Sequence, residues 1–162
     1  MFIIRPPNKI SNDVECLVIF LAGSIEMGAA QDWQKIIETE LDGIDCVLLN
    51  PRRSNWNSEW VQSIDNSQFT DQVTWEMDGI ESAGLVIFYF DPKTKSPVSL
   101  AELGLVAGLG KKAIVCCPND FWRKGNVDII SLRYGFQMIE SIDDFIIAIK
   151  RYIKVVGLKG IK

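Results

Sequence analysis

Compact apolar runs recur along the chain, and between them apolar residues fall every three or four positions. Cys16–Leu21, Cys46–Leu49, Leu85–Phe90 and Ala113–Cys117 are runs of strand length, and Phe136–Ile139 is a weaker fifth. Leu85–Phe90 is uninterrupted by any polar residue, as expected of a strand covered on both faces. The intervening segments have helical spacing. Residues 29–41 place Trp33, Ile36, Ile37 and Leu41 on one face, and residues 69–82 do the same with Val73, Met77 and Ile80. A third helix starts near Ser96-Pro97, where proline suits the first helical position, and ends around Gly108–Gly110. Ile142–Lys154 closes the pattern as an amphipathic helix with Phe145, Ile146, Ile149 and Ile153.

Strands alternating with helices predict an α/β fold, a Rossmann-like three-layer sandwich. Its sheet is five-stranded and mostly parallel, with right-handed crossovers. No internal repeat or boundary interrupts the pattern, so residues 1–162 read as one domain with a core over about 15–154. In such folds ligands bind beyond the carboxyl ends of the strands. That rule selects the loops 22–28, 50–68, 91–99 and 118–127.

Composition narrows the chemistry. The chain has a net charge of -4 and no basic run, which argues against a nucleic acid polymer as partner. No apolar stretch reaches membrane-spanning length and the N-terminus lacks a signal-peptide layout, so a cytoplasmic location is expected. Cys16, Cys46, Cys116 and Cys117 all fall in strand-like runs and read as reduced, buried thiols. Cys116 and Cys117 would point to opposite faces of a strand and so cannot easily share one ion. The chain has no histidine, which removes Ser-His and Cys-His nucleophile pairs and the usual zinc sites. Acid–base or nucleophilic work is left to carboxylates, Tyr, Lys or Cys.

Two carboxylates stand out. Glu102 lies in Ser96-Pro97-Val98-Ser99-Leu100-Ala101-Glu102-Leu103-Gly104, in the second turn of the helix after the central strand. A carboxylate near a helix N-terminus is favoured in its ionised form, and an ionised carboxylate beside a sugar is the usual nucleophile of covalent glycosyl transfer. Glu76, on the helix before that strand, is a second acid suited to binding a sugar hydroxyl or passing a proton to a leaving base. Either glutamate alone would commonly be a solvated helix charge. Trp56 and Trp60 beside Arg52 and Arg53, and Phe121-Trp122-Arg123-Lys124-Gly125-Asn126, combine aromatic, cationic and amide groups suited to a planar base. Gly23-Ser24 follows the first strand, but the chain has neither GxGxxG nor a P-loop there.

Leu21-Ala22-Gly23-Ser24-Ile25, Asn50-Pro51-Arg52-Arg53, Asp91-Pro92 and Ser96 through Gly104 together resemble the nucleoside 2-deoxyribosyltransferase family over roughly residues 16–140. The Glu-Leu-Gly after a Ser-rich loop is the most specific element. The Phe-Trp-Arg-Lys-Gly-Asn stretch points to the deoxyribosyltransferase-like branch. The resemblance implies a flavodoxin-like fold and a ping-pong exchange of bases on a 2'-deoxynucleoside. It places the nucleophile on Glu102, the second acid on Glu76, and a residue reaching into a neighbouring subunit's site on Asn126. A homo-oligomer is therefore implied. The chain departs from the family where Ser96 replaces a loop aspartate, and no tyrosine contact is evident near Ala22–Ile25. Both departures bear on sugar and base selectivity.

The expected reaction is attack by Glu102 on C1', followed by capture of the glycosyl-enzyme by a second base. Substrate contacts are expected from Ser24, Asn50, Arg52, Trp56, Trp75, Asp91, Ser96, Ser99, Trp122 and Asn126. The partners are a deoxynucleoside and a free nucleobase. No metal or organic cofactor is expected. Two alternatives remain: an N-glycoside hydrolase of deoxynucleosides or their monophosphates, with Ser24, Ser96 and Ser99 near a phosphate, and a non-catalytic nucleotide sensor.

Overall fold

The computed structural model describes residues 1–10, 14–25, 30–53 and 60–158. Its elements, in chain order, are β1 (Phe2–Ile4), β2 (Leu17–Gly23), α1 (Trp33–Glu40), β3 (Cys46–Leu49), α2 (Ser67–Ser82) and β4 (Leu85–Tyr89). They continue with α3 (Pro97–Gly108), β5 (Ala113–Cys116), α4 (Lys124–Tyr134), β6 (Gln137–Ile139) and α5 (Ile142–Leu158). The strands form one six-stranded sheet in the order β1-β3-β2-β4-β5-β6, and every neighbouring pair is parallel. The five strands expected from the sequence are thus joined by a sixth, β1, at one edge.

Alternation along the strands creates the layers. Phe20, Ala22, Val47, Leu49, Val86, Phe88 and Val115 face one side, where they pack with Trp75 and Ile80 of α2, Leu103 and Val106 of α3, and Val127 of α4. Ile19, Leu21, Leu48, Ile87 and Ile114 face the other, against Trp33 and Ile37 of α1 and Phe145 and Ile149 of α5. Side chains one residue apart on a strand point to opposite faces, so consecutive apolar residues serve both layers. The result is the expected three-layer α/β sandwich.

The adjacent thiols obey the same rule: Cys116 belongs to one layer and Cys117 to the other. All four cysteines are free. Burial pushes the Cys46 thiol up to about 11 and those of Cys116 and Cys117 up to about 12, which makes them inert packing groups at neutral pH.

Several helical expectations need adjustment. α2 buries Gln72, Trp75, Gly79 and Ile80, whereas Met77 is exposed. Gly79 allows the close approach, since a Cβ there would stand 2.7 Å from the Phe20 ring. α4 was not legible as a helix, and it begins at Lys124, inside the expected 118–127 loop. Its apolar residues are spread around the axis: Val127 is buried, while Ile129 and Leu132 face solvent.

β2 leads through α1 to β3 on one side, and β3 leads through α2 to β4 on the other side of β2. The chain therefore reverses its direction of winding between β2 and β4, and their carboxyl ends open a crevice there. Gly23 ends β2 at φ +131°, and a Cβ there would lie 2.3 Å from the Tyr89 carbonyl oxygen. Only glycine lets the chain leave the sheet at this point.

Candidate active site

At the crevice, three hydroxyls meet from segments about 70 residues apart. Ser24 Oγ lies 2.5 Å from Ser96 Oγ, and Thr94 Oγ1 lies 2.9 Å from Ser24 Oγ and 2.7 Å from Ser96 Oγ. The Asp91 amide also donates to Ser24 Oγ at 2.8 Å. Ser24, Thr94 and Ser96 are all buried. The knot ties the end of β2 to the loop that feeds α3. It holds Ser96 at φ 47°, ψ 50°, a left-handed conformation costly for a residue with a Cβ. Strain of this kind persists where surrounding contacts over-determine the backbone, and here it sets the entry angle of α3.

Asp91 stabilises the same loops. Its carboxylate accepts from the Gln31 amide at 2.8 Å and the Lys93 amide at 2.9 Å. Ser99 is buried in the first turn of α3. Glu102 follows in the next turn, partly open at the surface but crowded by protein. Burial and the negative charge of Glu76 push Glu102 up to about 8. Position near a helix N-terminus suggested the opposite direction. The difference arises because the free amides of α3 belong to its first turn, while Glu102 sits one turn further into a poorly hydrated wall. Glu76 on α2 is raised as well, first by burial, with a hydrogen bond from Gln72 pulling it down. The charge of Glu76 on α2 acts on Glu102 on α3, so the two carboxyls are electrostatically coupled.

Other expected contacts take different places. Asn50 is buried, with its amide nitrogen donating to Glu38 at 2.8 Å and its oxygen accepting from the Arg52 amide at 2.9 Å. Arg52 turns toward α1, reaching Gln34 Oε1 at 3.3 Å and Asp32 at 3.6 Å. Arg53 turns the other way, reaching Gln72 Oε1 at 3.0 Å. Trp75 is in the core, tilted against Phe20, and donates to the Asn8 carbonyl at 2.8 Å. Trp122 is exposed, donating to the Lys95 carbonyl at 3.0 Å, with Lys95 and Arg123 within 5 Å of its ring. Asn126 is exposed in the first turn of α4. Trp56 lies outside the described residues.

Thr94 and Gln72 did not stand out in the sequence. Thr94 gave no local signal, because its partners are distant along the chain. Gln72 did give one: it lies four residues before Glu76 on the same helix, the spacing at which side chains meet. Among the described residues, no group of three or more Cys, Asp or Glu side chains is placed to hold a metal ion. No helix among them is long and apolar enough to cross a membrane.

A parallel sandwich of this winding defines a flavodoxin-like α/β protein, and its two raised carboxyls, Glu76 and Glu102, are groups that acid–base chemistry could use. The family model described as nucleoside 2-deoxyribosyltransferase like matches residues 16–121, and the chain belongs to that family. Among solved structures, the chain is similar to a conserved protein from Enterococcus faecalis V583. The TM-score is 0.57 at 12% identity, covering 85% of this chain and 99% of that one, a likeness of fold. A search of curated proteins gives no match.

Proposed function

We propose that the protein is a nucleoside 2-deoxyribosyltransferase that exchanges the base of 2'-deoxynucleosides through a deoxyribosyl ester on Glu102, within a single domain spanning residues 1–162. The observation that carries this reading is the coupled pair Glu76–Glu102 in a chain of this family. Glu102, pushed up to about 8, holds a proton at neutral pH, while the hydrogen bond from Gln72 favours the ionised form of Glu76. Transfer of that proton from Glu102 to Glu76 creates the nucleophile and the acid together. Glu102 then bonds to C1', the C1'–N electron pair leaves with the base, and the base takes the proton from Glu76. A second base reverses these steps and regenerates the pair. Ser24, Thr94, Ser96 and Asp91 hold the loops around the sugar, and Ser99 faces it from the first turn of α3.

The test is chromatography of thymidine or deoxyadenosine incubated with a second free base. A new deoxynucleoside is the expected product. Free base and deoxyribose alone would replace the transferase with the hydrolase. An intact panel of nucleosides and monophosphates would leave the sensor.

The active form in this reading is a homo-oligomer with a site completed by Asn126 of a neighbour, acting in deoxyribonucleoside salvage in the cytoplasm. Support comes from exposed apolar residues of α3, its cap and α4, Val98, Leu109, Ile129 and Leu132 among them. Light scattering is expected to give a mass at least twice that of the 18.2 kDa chain. A monomer at micromolar concentration would remove the shared site.

A further inference from the structure

We propose that Gln72, locked in direction by Arg53, is a positioning residue that keeps Glu76 as the proton acceptor of the carboxyl pair and leaves the resting proton on Glu102. This rests on the reading of Glu76 and Glu102 as the catalytic pair and assigns each its starting state.

The geometry determines which end of the amide faces which neighbour. Gln72 is buried, and Arg53 Nη1 donates to its Oε1 at 3.0 Å. A guanidinium offers only hydrogens, so it can meet only the oxygen of the amide. The NH2 group is thereby turned the other way, where it donates to the Pro51 carbonyl at 3.1 Å and to Glu76 Oε1 at 2.7 Å. Two hydrogens meet two acceptors, and reversing the amide would set its NH2 against Arg53 and its oxygen against the Pro51 carbonyl. Glu76 Oε1 therefore faces a fixed donor, which favours the ionised carboxylate.

Among the described residues, Gln72 is the hydrogen-bond partner of Glu76, and Glu76 is the charge that raises Glu102. Among the described residues Glu102 has no donor comparable to Gln72, so the proton of the pair settles there. Glu76 keeps its second carboxyl oxygen for receiving that proton when a nucleoside binds. Arg53 also lies over the Trp60 ring, 5.2 Å from its centroid.

The experiment is a pH titration of the whole protein carrying 13C-carboxyl glutamate, read by NMR for wild type, Gln72→Met and Arg53→Met. The amide spectrum of each variant reports that it is folded. In the wild type the lower step is expected on Glu76 and the upper step, at about pH 8, on Glu102. Gln72→Met is expected to raise the Glu76 step by about one pH unit and to leave the Glu102 step in place, because Glu76 is already ionised when Glu102 loses its proton. Arg53→Met keeps the amide but frees its direction, and the same shift is expected at smaller size. An unchanged Glu76 step in both variants, or in Arg53→Met alone if Gln72→Met does not fold, would overturn the proposal. The titration needs no substrate, so its outcome is separate from that of the exchange assay.

Discussion

Glu102→Gln is expected to lose base exchange by about 10³-fold or more and yet to be more stable than the parent protein at alkaline pH. The first effect follows from removing the only atoms proposed to bond to C1'. The second follows from proton linkage. Glu102 has an ordinary value of 4.5 and is pushed up to about 8 in the folded protein, so the native state holds its proton more tightly than the unfolded chain does. The stability it contributes is fully present below about pH 4.5 and is lost as pH rises through about 8. Above that, the fold carries an ionised, poorly hydrated carboxylate beside another one. Glutamine imitates the neutral form at every pH and avoids this penalty. At pH 9 the variant should gain about 2 kcal/mol or more, allowing for partial solvent screening. For a chain of this size that is a Tm higher by roughly 4 °C or more. Near pH 4.5 the two proteins should melt alike. Thermal scans across this range check the claim, and a variant that is less stable at pH 9 would refute the buried, proton-holding state of Glu102.

The second large effect is on the shape of the pH–rate profile. A pair that works with one proton loses its acid when both members ionise, so kcat/KM of the wild type should fall above about pH 8. Glu76→Gln removes both the acid and the charge that raises Glu102. Its rate should drop by about 10²–10³-fold, the usual contribution of a general acid. What remains should depend on Glu102 alone, whose value falls when the neighbouring charge is gone, so the alkaline decline should disappear. A deoxynucleoside whose base already carries positive charge, through methylation at N7, needs no acid and should recover most of the loss. If Glu76→Gln keeps the alkaline decline, or the cationic base fails to restore its rate, the acid is another group.

The elements whose place depends on burial are legible in the sequence. β2 to β5 are covered on both faces, and strands in that setting read as uninterrupted apolar runs whatever their neighbours. β1 was not legible, because a three-residue edge strand carries too few positions to show any period. α4 was hidden for a related reason, since its exposed Ile129 and Leu132 blur the helical stripe. The proposed carboxylates could be named from motif and order, but their charge states could not. Those depend on the depth of Glu102 in α3 and on its coupling to a glutamate of another helix. The knot of Ser24, Thr94 and Ser96 is likewise a product of the crossing of β2 and the β4–α3 loop, with no local trace. Trp75 illustrates the opposite case. An aromatic beside a candidate acid suggests a stacking platform, yet on a helix its direction is set by the turn, and the turn points it at Phe20.

The central claim is covalent attack by Glu102, and rapid quenching with peptide mass spectrometry tests it most directly. Enzyme is mixed with a deoxynucleoside without acceptor base, stopped in acid within one turnover and digested. One equivalent of free base per active site and a deoxyribosyl group on the peptide that carries Glu102 are the expected result. Base release with Glu102 unmodified, or with the sugar on another residue, would contradict it.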